Sequence, residues 1–235
     1  MWVYIYQSWT EKDLKNAYIG EWIWEPDASR TLLYLKFNNN LTDDSGNWVT
    51  VTTNGGTAPT YWTINSENYA IVSGSRLIST LNSFDINNMT HSCWIKKTSS
   101  ALAVVSYWGG VDSRTSSTWK WNGLIIDSSN RVVLFPYAWD IVTSATIQLN
   151  TWTNIIIVAN SWTSYIYINW ELKATASKTF SSSSYIARFL ANPYLNNNIN
   201  DPLVWNIDEL ILENKVWTAQ EIADYYNLTK WNYGL

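Results

Sequence analysis

Residues 155 to 169 constrain the fold more than any other stretch of the chain. Ile155, Ile156, Ile157 and Val158 form an unbroken apolar run, the pattern of a strand buried on both faces. A few residues on, Tyr165 and Tyr167 alternate with Ile166 and Ile168, which predicts a second strand with one core face and one aromatic face, joined to the first by a turn at 160–163. Asn169-Trp170 stands where the next hairpin must turn, before Glu171 to Ala176 resumes as a strand. Adjacent hairpins of this kind build antiparallel sheets.

The rest of the chain agrees. Thr31 to Phe37, Met89 to Lys96 and Leu102 to Tyr107 read as strands between turn residues, and about a dozen such runs without intervening helices predict a two-sheet sandwich. One helix is expected near the C-terminus, where Thr218 and Glu221 have capping-box spacing ahead of Ile222, Tyr225 and Tyr226; it reads as a short lid at the sandwich edge. Residues 1 to 28 differ, with a charged, helix-compatible stretch from Thr10 to Lys15 broken at Pro26-Asp27, and read as an arm or linker ahead of a single domain at 29 to 235.

Composition narrows the function. Only 14% of residues are charged and the net charge is −4, so no broad basic face exists to neutralise phosphates, and nucleic acid is not an expected partner. The single cysteine, Cys93, excludes an internal disulfide, and no Cys/His cluster suits zinc. The absence of a long apolar run predicts no membrane insertion, and no signal peptide is expected from the N-terminal pattern.

Four local patterns, in order, resemble the concanavalin A-like jelly rolls of the laminin-G-like type. Leu33 to Phe37 with Asn40 to Asn47 is similar to the family's opening strand and DxSGNG loop. Ser92 to Lys96 is similar to its central strand, and Asn150 to Trp152 with Ile155 to Val158 and Tyr165 to Asn169 to its TW…YiNG hairpin. Ile207 to Leu210 with Thr218 to Tyr226 resembles its closing strand and helix. The resemblance covers 31 to 227 and implies an all-β, two-sheet antiparallel jelly-roll sandwich with a short C-terminal helix and an N-terminal arm.

The departures lie at tryptophans, of which the chain has seventeen. Family glycines after Asn47 and Asn169 are replaced by Trp48 and Trp170, although a tight hairpin turn needs positive φ, which glycine adopts freely. Trp205 stands where a small residue is ordinary. One reading is a source that translates UGA as glycine, as some uncultured bacteria and their phages do; the alternative is genuine tryptophan in longer turns. Trp94 and Trp152 match family tryptophans and are expected in the core. The arm from Asp13 to Glu21 weakly resembles the start of phage or prophage structural proteins.

Chemistry is sparse. Related sandwiches carry carboxylates alternating along one strand as acid and nucleophile; Glu209 and Glu213 have the outer spacing, but Ile211 occupies the middle position. His91 and Cys93 share a strand face with no orienting third group, which favours a structural role. Alternation puts Asp208 on the face of Leu210 and Leu212, where a buried carboxylate needs a partner. The resemblance implies that a structural calcium ion could join Asp208 to Asp43 or Asp44, with ordinary turn-capping as the alternative. For sugar stacking, the aromatic and polar mix of Tyr107, Trp108, Asp112, Arg114, Trp119, Trp121, Asn122 and Tyr137 is the candidate ligand site. The expectation is a non-catalytic module that binds glycan or a surface protein on a phage virion or cell envelope, extracellular or at the surface. The alternative is a structural module docking onto a larger particle through residues 1 to 28.

Overall fold

A computed structural model describes residues 27–64, 67–73, 75–82, 84–109, 121–136, 141–177, 186–189 and 204–235. The expected arm at 1 to 28 lies almost wholly outside the described residues. Two antiparallel sheets face each other. One contains β1 (Thr31–Leu35), β3 (Thr60–Ile64), β4 (Glu67–Ser73), β6 (Asn88–Lys97), β11 (Trp152–Asn160), β12 (Thr163–Ile168), β13 (Glu171–Ala176) and β15 (Val204–Glu213), in the order β13-β12-β11-β6-β15-β4-β3. β1 pairs with the second half of β15, and β4 with its first half. The other sheet contains β2 (Val51–Gly56), β5 (Ser75–Asn82), β7 (Ala103–Gly109), β8 (Trp121–Ile126), β9 (Arg131–Pro136), β10 (Ile141–Thr146) and β14 (Ile186–Phe189), in the order β10-β9-β8-β7-β14-β5-β2. The expected antiparallel β-sandwich is the observed architecture.

The alternation that predicted the central hairpin also decides its packing. Ile155, Ile157, Ile166 and Ile168 enter the main core between the sheets, with Leu33, Leu35, Ile95, Leu124, Leu134, Leu210 and Leu212. Ile156 and Val158 point the other way and are buried nonetheless, because helix α1 (Ala219–Thr229) covers that outer face. The continuous apolar run of β11 is thus a strand buried on both sides.

Helix α1 begins as its sequence predicts. Thr218 Oγ1 accepts from Glu221 N–H at 3.2 Å, and the Glu221 carboxylate accepts from Thr218 N–H at 2.8 Å. Its position differs from the expectation of an edge lid. Ile222 and Tyr225 pack with Trp217 onto Tyr34, Ile156, Val158 and Ile211, on the face of the eight-stranded sheet. The chain end follows it down: Tyr233, in the short 3₁₀ turn Lys230–Tyr233, stacks on Trp94 with centroids 4.2 Å apart and touches Trp152 at 4.8 Å. Trp94 and Trp152 are core, as expected.

The tryptophans at turn positions take left-handed backbone of the kind a tight turn needs. Trp48 has φ 59° and Trp170 φ 68°, the latter following Asn169 at φ 49° in a two-residue hairpin turn between β12 and β13. Both side chains are solvent-exposed, at 92% and 48%. Trp205 is different: its side chain is buried in the main core. A β-carbon in the left-handed region costs about 1–2 kcal/mol, and these exposed side chains return little packing. Trp48→Gly and Trp170→Gly should therefore each raise unfolding free energy by about 1 kcal/mol, measured by urea titration. Trp205→Gly should lower it by about 3–5 kcal/mol through the cavity it opens.

Candidate functional site

Strand β15 carries the carboxylates that the sequence singles out, and a bulge redirects them. Ile207 pairs with Ile95 and Asp208 with Trp94, yet the next partners are Ile211 with Ser92, so β15 holds one extra residue there. Glu209, at φ 49°, is the left-handed residue of this bulge. The expected alternation fails at this point. Ile207, Leu210 and Leu212 face the core, while Asp208 falls on the opposite, outer side with Trp94. There Asp208 Oδ2 accepts from the Tyr233 hydroxyl at 2.9 Å, and Oδ1 from the Glu209 N–H at 2.9 Å.

Glu209 accepts from the Tyr34 hydroxyl at 2.5 Å. Glu213 accepts from Thr31 Oγ1 at 3.0 Å and from Trp217 Nε1 at 2.5 Å. Ile211, between them, is buried under Ile222 and Tyr225 of α1. The stripe with hydrolase-like spacing therefore lies beneath the C-terminal helix, engaged by side chains of β1, its own strand and the segment leading into α1. Burial and then the Glu209 charge push the Tyr34 and Tyr225 hydroxyls well above the ordinary range; for Tyr233, burial and then the Asp208 charge do so. All three stay neutral, and Tyr34 and Tyr233 serve as donors.

Asp43 closes the loop after β1. Its Oδ1 accepts from Tyr34 N–H at 3.0 Å and Ser45 N–H at 2.9 Å, and its Oδ2 from Ser45 Oγ at 2.8 Å and Val49 N–H at 2.9 Å. Four donors occupy both oxygens, the arrangement of an Asx-type turn. Asp44 is exposed and its N–H donates to the Tyr34 carbonyl at 2.8 Å. Among the described residues no three His, Cys, Asp or Glu side chains group closely enough to hold a metal. As arranged, with Asp43 and Asp208 committed to protein donors, this donor set does not fit calcium.

His91 and Cys93 face the main core, where His91 pairs in register with Ile157 and Leu212 and Cys93 with Ile155. Burial pushes the Cys93 thiol up and pulls the His91 imidazole down to about 3. A thiol held protonated and an imidazole that resists protonation are the reverse of an activated pair.

The expected ligand site is only partly described. Asp112, Arg114, Trp119 and Tyr137 lie outside the described residues, and Tyr107, Trp108, Trp121 and Asn122 are placed by backbone alone. Register divides those four. Trp108 is opposite Asn122 in the same facing set as Ser106 and core Leu124, whereas Tyr107 is opposite Gly123 and Trp121 opposite Gly109. Gly123 alternates with Leu124, so the Tyr107 and Trp121 positions belong to the outer face of the seven-stranded sheet. A row of register partners crosses that face: Thr52, Ile78, Arg188, Tyr107, Gly123 and Phe135. Ile125 and Val133 form a small apolar pair on it, apart from the main core.

Arg188 was not among the sequence candidates. Its four-residue strand, Ile-Ala-Arg-Phe, shows no alternation long enough to assign a face, and only pairing with β5 and β7 places it.

No family model matches the chain, and no curated protein matches it in sequence. Among solved structures, Domain 4 of AbnA, a GH43 extracellular arabinanase from Geobacillus stearothermophilus in complex with arabinotriose, superposes with TM-score 0.66 at 18% identity. The match covers 83% of this chain and 97% of that one. The binding domain of Paraclostridial Mosquitocidal Protein 1 matches with TM-score 0.64 at 15% identity over 85% of this chain. The botulinum neurotoxin serotype D binding domain matches with TM-score 0.62 at 20% identity over the same share. The chain spans about half the length of these two toxin domains, 52% in each case. The likeness is one of fold, a β-sandwich.

The His91 imidazole has a lower pKa folded than unfolded, so its contribution to stability is complete above the ordinary value of 6.5 and is lost as pH falls toward about 3. Unfolding free energy should fall by about 1.4 kcal/mol per pH unit between pH 6 and roughly 4.5. In His91→Leu the slope should be shallower by that amount, whatever the variant's absolute stability, when both proteins are unfolded in urea across the same pH series; Asp27, Asp127 and Glu221, whose carboxyls are held below the usual range, supply what slope remains at the acid end.

Proposed function

We propose that this chain is a non-catalytic module that binds glycan through the outer face of its seven-stranded sheet, in an extracellular or surface setting such as a phage virion or a cell envelope. One observation carries the reading: helix α1 occupies the outer face of the eight-stranded sheet, while the Tyr107 row crosses the opposite outer face of the sandwich. Gly123 separates the positions of two aromatic residues, Tyr107 and Phe135, in that row, and aromatic faces are what sugar rings stack on. Engagement of Glu209 by Tyr34 and of Glu213 by Thr31 and Trp217, burial of Ile211 between them, and the state of His91 and Cys93 support binding without turnover. The arabinotriose bound to the AbnA domain of like fold supports a saccharide as ligand.

The laminin-G-like assignment and the phage setting rest on the sequence resemblance. The reading of UGA as glycine draws support from the left-handed backbone at Trp48 and Trp170, and intact-mass measurement of the native protein decides it. It applies with least force to Trp205, whose side chain fills core space.

Binding to soluble arabinan and a panel of neutral and charged polysaccharides, followed by affinity electrophoresis, tests the function. Retardation by at least one polysaccharide is expected, with Tyr107→Ala weakening it about tenfold at unchanged melting temperature and with no new reducing ends released. Absence of retardation across the panel, or binding indifferent to Tyr107→Ala, contradicts the proposal.

A further inference from the structure

The two sheets differ sharply in charge. The seven strands of the β2-to-β10 sheet contain no Asp, no Glu and no Lys; their only charged residues are Arg76, Arg131 and Arg188. The eight strands of the opposite sheet carry Glu67, Glu171, Asp208, Glu209 and Glu213 with Lys96, Lys97 and Lys173. In a protein of net charge −4, an acid-free sheet whose charges are all guanidinium is a local reversal of sign.

Register puts the arginines to different uses. Arg131, at the start of β9, is engaged by Asp127, whose Oδ2 lies 2.7 Å from Nη2 and 2.8 Å from Nε. Arg188 sits in the Tyr107 row, directly opposite Tyr107 on one side and Ile78 on the other. Arg76 lies two residues from Ile78 along β5 and, like Ile78, alternates with core Leu77, so its position shares the outer face. Arg76 and Arg188 are therefore diagonal neighbours on adjacent strands, about 7–8 Å apart at the backbone, beside the aromatic position of Tyr107.

We propose that the glycan taken by this face is anionic, with carboxylate or sulfate groups on separate sugar units met by Arg188 and Arg76 while a ring lies at Tyr107. This rests on the binding function proposed above and specifies its ligand class. A guanidinium presents a planar fork of donors matched to carboxylate and sulfate oxygens, and its charge does not titrate away. Two such groups suit a polysaccharide with spaced charges. They are too few, on a chain of net charge −4, for the many phosphate contacts that hold a nucleic acid. A row holding Tyr107, Gly123 and Phe135 beside them fits a sugar ring rather than a phosphate backbone.

Matched polymers that differ only in charge separate the possibilities: polygalacturonate against its methyl-esterified form for carboxylate, and dextran sulfate against dextran for sulfate, titrated with the full chain. At least one charged member should bind about tenfold or more tightly than its neutral partner, with affinity falling as salt rises. Arg188→Gln and Arg76→Gln should each remove most of that difference, and Arg188→Lys should restore part of it. Arg131→Gln should leave it unchanged, with melting temperatures confirming that every variant folds. Equal binding of charged and neutral partners overturns the anionic ligand while leaving glycan binding intact. Binding to no polymer in either set or in the wider panel overturns both. Equal binding to double-stranded DNA, or a charge preference indifferent to Arg188→Gln and Arg76→Gln, overturns the assignment to this face.

Discussion

One left-handed residue in the middle of β15 decides which side of the sandwich is closed. Glu209 at φ 49° shifts the register against β6, and everything beyond it turns over. Without the bulge, Asp208 would share a face with Leu210 and Leu212, so either the carboxylate would enter the core and require a buried countercharge or the leucines would turn outward. With it, Asp208 reaches Tyr233, Glu209 reaches Tyr34, and Ile211 receives the helix. A non-glycine residue in this region is strained; the surrounding hydrogen bonds, including that from the Glu209 N–H to Asp208, hold it there.

Closure of that side has a functional consequence. The eight-stranded sheet is covered by α1, by Trp217 and by the Trp94–Tyr233 stack, so its polar groups serve the fold. Glu209 and Glu213 are held by hydrogen bonds from Tyr34, Thr31 and Trp217, Asp208 by Tyr233, and His91 and Cys93 are buried. The proposed recognition face is therefore on the other sheet, whose strands carry aromatic, small and guanidinium residues and no acid.

Local sequence made the hairpins and the helix start legible. Ile155 to Val158, the Tyr/Ile alternation, Asn169-Trp170 and the Thr218/Glu221 box each encode their geometry within a few residues, and each forms as expected. The bulge was not legible, because nothing about Glu209 as a residue type announces a left-handed backbone. Nor was the seat of α1, which depends on Tyr34 and Ile211 arriving from distant strands. The candidate site was half legible for the same reason. Tyr107 and Trp121 stood out by composition, but their separation from Trp108 and Asn122, and the arrival of Arg188 between Ile78 and Tyr107, follow from non-local pairing.

The central claim is that ligand is met on the outer face of the seven-stranded sheet and not at the helix-covered one. Amide hydrogen exchange with and without a bound polysaccharide tests it most directly. The account predicts new protection concentrated in β7, β8 and β14, with β15 and α1 unchanged; protection confined to α1, to β15 or to the loop around Asp43 would contradict it.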